Sequence, residues 1–435
     1  MTHEAIQILS EYIRINTTNP PGNESEAVRF LENILTKEGI PCKTYEAQPG
    51  RVSLRAVIRG TGEKPPLILL NHMDVVPADA SEWSFDPFGG EIRDGFICGR
   101  GTLDMKGLGI MQLMTFLALH RQKVEPDRDV IFLAVADEEV GGAQGAEYLL
   151  ENHPEDFPAG LVLNEGGFGV SGILPTKGLH MISTAEKGPC WLKLTRTGPP
   201  GHGSVPHGQN ALEELVKALH RVVTTPRPIT ITPVVGEYFR ALACEWDFLG
   251  PFVEDGNPAT LERILRETGI IAMPQLAAMM QNTISLNVLQ GGDRGNVIPS
   301  RAEAILDIRL LPGQEPGEFT EWIQGLLEDD AITVEPVTVF YANESPLDHP
   351  DYQTIADTLQ RCFPDTVVAP SLTTGTTDSR FFREKGFRAY GVFPIMVPMD
   401  DLKTIHGIDE KISEENMIQG TEVYTDLVFS LCKAG

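Results

Sequence analysis

The sequence predicts an α/β fold, in which helices flank a mixed sheet and a split-βαβ (ferredoxin-like) unit is inserted into the chain. Three observations lead there. Short apolar runs alternate with amphipathic helical stretches through the first half. A different, strand-rich order occupies the middle, and the first style returns after about residue 343. At 435 residues the chain also exceeds what one hydrophobic core usually serves.

Residues 4–14 and 25–38 place apolar side chains at helical spacing, the second stretch following Asn23 as an N-cap. The run 66–71 (PLILLN) reads as a buried strand, as do 129–136 (DVIFLAVA) and 160–164 (GLVLN). Between the first two, Asp104 precedes a helix with Ile110, Leu113, Met114 and Leu117 on one face.

Beyond residue 187 the pattern changes. Residues 190–196 alternate, with Leu192 and Leu194 on one side. Asn210 caps a helix, with Glu213 at the capping-box position and Leu212, Leu215, Val216 and Leu219 on its apolar face. Strands follow near 283–290 and 302–310, then a helix carrying Phe319, Trp322, Ile323 and Leu326. A strand near 331–341 is broken by Pro336, which places it at a sheet edge. The Pro-rich stretch 225–281 interrupts this unit, and no pattern in it assigns its place. A helix near 350–362 and an apolar strand near 388–394 complete the first style. The expected division is a discontinuous body, 1–186 with 343–435, and an inserted body, 187–342.

The net charge of −26 repels phosphate backbones and anionic lipid, so nucleic-acid and membrane-surface roles are disfavoured. No run approaches the ~18 apolar residues of a spanning helix, and the N-terminus lacks the basic-then-apolar layout of a signal peptide. Cys42, Cys98, Cys190, Cys244, Cys362 and Cys432 lie far apart with no Cys-x-x-Cys pair. They read as free thiols in a reducing, cytoplasmic setting.

Polar residues cluster where the apolar strands end. PLILL is followed by Asn71, His72, Met73 and Asp74; VIFLAVA by Asp137, Glu138 and Glu139; LVLN by Glu165; and a loop after the late strand holds His406. Ligands of open α/β sheets bind beyond the carboxyl ends of the strands, so four segments deliver His and carboxylate groups to one edge. Imidazole with several carboxylates suits a two-metal centre. His72 and Asp74 are two apart and point the same way in an extended segment, as a ligand and its orienting acid do. Asp104 read alone would be an N-cap. Glu138 and Glu139 are adjacent and point apart, so that one can bind metal while the other reaches water.

These segments resemble the M20 family of metallopeptidases: NHMDVVP at 71–77, GRGTLDMKG at 99–107, DEEVG at 137–141, NEGG at 164–167, PGHGSVP at 200–206 and GGDRGNVIP at 291–299. TTDSRFF at 376–382 and His406-Gly fit as well, and the branch most similar is that of aminoacylase and carboxypeptidase S. The resemblance implies two zinc ions per chain, with Co2+ or Mn2+ as alternatives. By the same resemblance Asp104 bridges them, His72 and Glu165 complete one site, and Glu139 and His406 complete the other. Asp74 orients His72, and Glu138 is the general base and then acid. His202 is implied as an oxyanion donor from a lid, often a partner subunit's, which makes a homodimer through the inserted unit an expectation. Asn296, Arg309 and Arg380, with the backbone at Gly375 and Thr376, are implied to hold a substrate carboxylate; Asp307–Arg309 and Asp378–Arg380 read equally well as surface pairs.

The expected activity is hydrolysis of an amide or peptide bond in a small carboxylate-bearing substrate, an N-acyl amino acid or short peptide. The alternatives are a carbamoyl or other non-peptide amidohydrolase and a non-catalytic metal-binding relative. The last would lack a ligand or the base, and every position is filled here. Residues 167–172 satisfy G-x-G-x-x-G, but Pro175 and Gly178 follow where a dinucleotide fold needs a helix. No His-Glu-x-x-His, G-x-S-x-G or Walker A pattern occurs.

Overall fold

The computed structural model describes residues 2–433. Helices α1 (Thr2–Ile13) and α2 (Glu24–Lys37) lead into a hairpin of β1 (Cys42–Gln48) and β2 (Arg51–Ile58). Asn23 occupies the N-cap position of α2, but its side chain makes no capping bond. The run PLILLN becomes β3 (Leu67–His72), every residue of which is buried. After α3 (Lys106–Arg121) come β4 (Val130–Val135), β5 (Leu161–Ser171) and β6 (Gly178–Glu186).

The chain then builds β7 (Gly188–Thr197), α4 (Ala211–Thr224), α5 (Pro233–Leu242), β8 (Thr283–Gln290), β9 (Arg301–Leu310), α6 (Pro316–Leu327) and β10 (Ile332–Val339). It returns through α7 (Pro350–Cys362), β11 (Thr366–Thr373) and β12 (Arg388–Pro398) to the final helix α8 (Glu414–Leu431).

Nine strands form the large sheet, running β1-β2-β4-β3-β5-β12-β6, with Asn343–Glu344 and β11 each paired to β6. Strands β4, β3, β5 and β12 are parallel neighbours, while β2 and β6 run antiparallel to them, so the sheet is mixed. Parallel strands covered on both faces read as unbroken apolar runs, which is why β3 and β4 were visible in the sequence. From β3 the chain crosses to β4 on one side, then back past β3 to β5 on the other. The strand order therefore reverses at β3, the place where open sheets bind ligands.

Helix α3 packs on β3 and is itself covered by α1 and α8. Lys106 through Leu119 are all buried, so the single apolar face expected from sequence is replaced by burial all round.

The second sheet is antiparallel, in the order β8-β9-β7-β10, with α4 and α6 packed on it and on each other. This is the split-βαβ order, closed over Leu192, Leu194, Leu215, Leu306 and Ile323. Asn210 caps α4 by accepting the Leu212 N–H at 3.0 Å. Glu213 accepts the Asn210 side-chain amide at 3.1 Å, not the backbone N–H of a capping box. Strand β10 lies at the edge, and its register breaks between Pro336 and Thr338.

The stretch 225–281 folds as short helices that begin at Pro233, Pro258 and Pro274, residues suited to a first helical turn. Helix α5 lies on β11, and Val235, Phe239, Leu261 and Leu265 share a core with Leu179, Ala369 and Leu372. This segment thus rides on the large sheet. Residues 167–172 extend β5, and no helix opens there, so the dinucleotide reading has no structural footing.

Candidate metal centre

Four adjacent parallel strands aim their carboxyl ends at one place. His72 ends β3, Glu165 lies within β5, and Glu138 and Glu139 follow β4 in a tight turn. Asp104 precedes α3, and His406 lies in the loop after β12. Asp137 and His406 both take positive φ, 74° and 57°, a conformation that few side chains adopt and that gathers at functional sites.

The His72 ring places Nδ1 at 3.0 Å from the Asp74 carbonyl oxygen, to which it donates. Its Nε2 then faces Asp104 Oδ1 at 3.2 Å and Glu165 Oε1 at 3.7 Å. On the far side, His406 Nε2 lies 3.0 Å from Asp104 Oδ2 and 3.2 Å from Glu139 Oε2. The two oxygens of Asp104 thus serve two separate groups. His72, Asp104 and Glu165 bring one ligand atom each within 4.8 Å of one another, and Asp104, Glu139 and His406 do the same. Two trios of imidazole and carboxylate that share one carboxylate fit a pair of divalent cations. A third acidic group, at His153, Glu155 and Asp156, differs, because Asp156 already accepts from Tyr45 at 2.9 Å and pairs with Lys43.

The Asp74 carboxylate has a second task beside the one expected. It lies 3.5 Å from His72 Nδ1, farther than the carbonyl, and also accepts from Glu138 N (3.2 Å), Glu139 N (3.1 Å) and Asn19 Nδ2 (2.7 Å). Two main-chain amides and one side-chain amide converge on it, so it holds the turn that carries both glutamates.

Burial, with the charge of Glu165 next, pushes the Glu138 carboxyl well above the usual carboxylate range. Burial and the charge of Asp104 raise Glu165 to about 7. Burial lifts Asp378 to about 7 against the pull of Arg380. Burial opposes a charge on Asp104 too, yet hydrogen bonds from His406 and His72 hold its carboxyl below the usual range. Bonds to Asp104 and Glu139 raise His406 to about 10. Burial works against a charged His72, but Glu165, Asp104 and Asp74 outweigh it and raise the ring as well. The centre is dense in negative charge, a setting that binds cations.

The other expected residues are placed less centrally. His202 is exposed and receives the Ser204 hydroxyl contact at 2.8 Å. Asn296, also exposed, adjoins it through the Gly203 N–H, which donates to its carbonyl at 2.8 Å. Gly375 is exposed and Thr376 half-buried, in the loop after β11. Arg309 pairs with Asp307 at 2.7 Å and lies over the Trp191 ring. Arg380 is 3% exposed, donates to the carbonyls of Thr377 (3.0 Å) and Gly141 (2.7 Å), and lies over Phe340 and Phe381. Its fork therefore pins the turn beyond Glu139. Of the two surface pairs read as alternatives, Asp307–Arg309 forms, whereas Asp378 and Arg380 are both buried.

Sequence reasoning missed Asn19, Arg100 and Glu410, and took Asp378 only as half of a surface pair. Arg100 and Asp378 carried a signal, as parts of the GRGTLDMKG and TTDSRFF segments.

The family model described as peptidase family M20/M25/M40 matches residues 68–430. The human N-fatty-acyl-amino acid synthase/hydrolase PM20D1 is 32% identical over 377 residues, covering 84% of this chain and 73% of that protein. Aminoacylase-1 of Sus scrofa is 30% identical over 442 residues, covering 99% of this chain and 95% of its own. Among solved structures, the M20 family metallo-carboxypeptidase Sso-CP2 of Sulfolobus solfataricus aligns with a TM-score of 0.74 at 22% identity. That alignment covers 98% of this chain and 99% of that one. Human carnosine dipeptidase 1 aligns at 0.68 and 17%, covering 99% and 96%. With the match spanning both strand-end clusters, the chain belongs to peptidase family M20/M25/M40 and is a metal-dependent hydrolase.

Proposed function

We propose that this enzyme hydrolyses the amide bond of small carboxylate-bearing substrates, N-acyl amino acids or short peptides, with two zinc ions held by His72, Asp104, Glu139, Glu165 and His406. The observation that carries the reading is the division of Asp104: Oδ1 faces His72 and Oδ2 faces His406, so that one carboxylate bridges two trios. The named activities of the aminoacylase and fatty-acyl-amino acid hydrolase relatives support the substrate class.

A cation pair held by His72, Asp104, Glu139, Glu165 and His406 would supply Lewis acidity to a substrate carbonyl and to a water. Glu138 takes the proton of that water as its oxygen adds to the carbonyl carbon, then delivers a proton to the amine nitrogen as the C–N bond breaks. Burial and the neighbouring charge of Glu165 raise the proton affinity of Glu138, which suits a group that must hold the proton between the two steps. Asp74 fixes the Glu138–Glu139 turn from one side and Arg380 from the other.

The exposed set His202, Asn296, Gly375 and Thr376, with Arg309, would receive the substrate's oxyanion and carboxylate. The body expected over 187–342, less the stretch 225–281 that packs on the large sheet, would act as a lid over 1–186 and 343–435, and as the contact for a second copy. The six free cysteines fit a cytoplasmic enzyme.

The test is elemental analysis of the purified protein beside a panel of N-acyl amino acids, dipeptides and carbamoyl amino acids. The expected result is two divalent ions per chain and turnover of the N-acyl or dipeptide substrates. Turnover confined to carbamoyl substrates, or a protein that takes up no metal, would overturn the reading.

A further inference from the structure

We propose that Arg100 and Glu410 form a positioning pair that keeps Asp104 and the His406 loop in one register, an inference that rests on the metal-centre reading above. Glu410 is fully buried. Its Oε1 accepts the main-chain N–H groups of Leu103 (2.7 Å) and Asp104 (3.1 Å). Its Oε2 accepts the Gly101 N–H (3.1 Å) and Arg100 Nη1 (2.6 Å). The other arm of Arg100, Nη2, donates to the carbonyl oxygen of Gly407 at 2.6 Å, one residue beyond His406. The Glu410 main chain closes the same junction by accepting the Gly99 N–H at 2.9 Å.

The chemistry suits the place. Three amides of one loop converge on a single side chain, with no room for a neutral group that would turn a donor toward them. Gly101 takes φ +93°, which lets its N–H join the other two. A carboxylate is the side chain that accepts from every direction. Its charge would add to an already acidic centre, and the Arg100 guanidinium, 2% exposed and lying over the Trp83 ring, cancels it locally. The pair therefore ties two loops together without changing the net charge beside the ligands. Such a hold also offsets the backbone cost of His406, whose positive φ of 57° is left-handed.

The two halves of the pair act on different ligands. Glu410 holds the main chain of Asp104, which belongs to both trios. Arg100 Nη2 holds Gly407, whose neighbour His406 belongs to one trio. A general scaffold would show no such split.

Metal-free wild type, E410Q and R100K are titrated with Zn2+ by calorimetry, with unfolding midpoints measured on the metal-free proteins. A lysine reaches Glu410 but cannot span to Gly407 at the same time. The expected result is two ions in wild type, both weakened about 10–100-fold in E410Q, and one of the two weakened similarly in R100K. Two wild-type affinities in both variants, whatever their midpoints, would make the pair merely structural and overturn the inference. Should E410Q not fold, R100K decides, since loss of one ion supports the proposal and retention of both refutes it; R100Q takes its place if R100K does not fold. A wild type that binds no ion refutes the metal centre itself, a result distinct from either.

Discussion

The carboxylate of Asp74 accepts the main-chain N–H of Glu139 at 3.1 Å, while its second oxygen accepts that of Glu138 at 3.2 Å. Asn19 donates to the same group at 2.7 Å, so both oxygens face N–H donors. Asparagine at this position would turn its own NH2 against one of them in either flip. Asp74→Asn is therefore expected to lose about 1–3 kcal/mol of stability, the cost of a buried donor left without a partner. It should also weaken metal binding or activity about 10–100-fold, because the displaced turn carries Glu139. Chemical unfolding and metal titration of the variant check both; unchanged metal affinity would mean that the turn holds its place without Asp74.

Glu138 and Glu139 are neighbours with different surroundings. Glu139 Oε2 lies 3.2 Å from His406 Nε2 and its Oε1 accepts the Val76 N–H at 3.2 Å, whereas Glu138 belongs to neither ligand trio. Glu138→Gln is expected to retain its full metal content and lose about 10²–10⁴-fold in kcat. Glu139→Gln should lose an ion as well as turnover. Metal analysis beside steady-state kinetics separates the two, and a Glu138→Gln enzyme of near-normal kcat would remove Glu138 from the chemistry.

The candidate ligand positions were legible because β3 and β4 are buried on both faces. Such strands read as unbroken apolar runs, and the first polar residues after them mark the sheet edge. His72, Glu139 and Glu165 stood out for this reason. The hold of Asp74 on the glutamate turn was not legible, since those partners are main-chain amides some sixty residues away. Glu410 was hidden further, 306 residues from the Asp104 amide it accepts. Arg380 read as a holder of a substrate carboxylate or half of a surface pair, yet it is buried under Phe340 and Phe381 with its fork on carbonyls. Helix α3 read as amphipathic because the covering helices α1 and α8 come from opposite ends of the chain. The hairpin β1–β2 gave no clear run, as β1 keeps one side exposed at the sheet edge.

His180 supplies a pH dependence away from the metal centre. It is fully buried in β6 against Phe363, with ring centroids 5.1 Å apart, and neither ring nitrogen has a hydrogen-bond partner among the described residues. Burial lowers its pKa from 6.5 to about 4. The unfolded chain therefore binds this proton first as pH falls. The cost is absent above pH ~6.5, grows between about 6.5 and 4, and levels off below, at roughly 3 kcal/mol in total. His180→Leu should flatten this part of the acid limb. Denaturant midpoints measured every half unit across that window provide the check, and identical slopes in both proteins would assign the acid sensitivity elsewhere.

Removal of divalent ions tests the centre as a whole. The carboxylates of Asp104, Glu138, Glu139, Glu165 and Asp378 crowd one strand edge, with His72 and His406 as their basic neighbours. Cations bound there stabilise the folded state alone, by RT ln(1 + [L]/Kd), about 2.7 kcal/mol for one site at a hundredfold excess over its Kd. Dialysis against a chelator should abolish amide hydrolysis and lower the thermal midpoint. Returning Zn2+ should restore both, with the midpoint rising in step with free metal. Monovalent salt at matched ionic strength should restore neither, because screening cannot replace a ligand bond. A midpoint indifferent to chelator and to Zn2+ would mean that the two trios hold no ion in the folded protein.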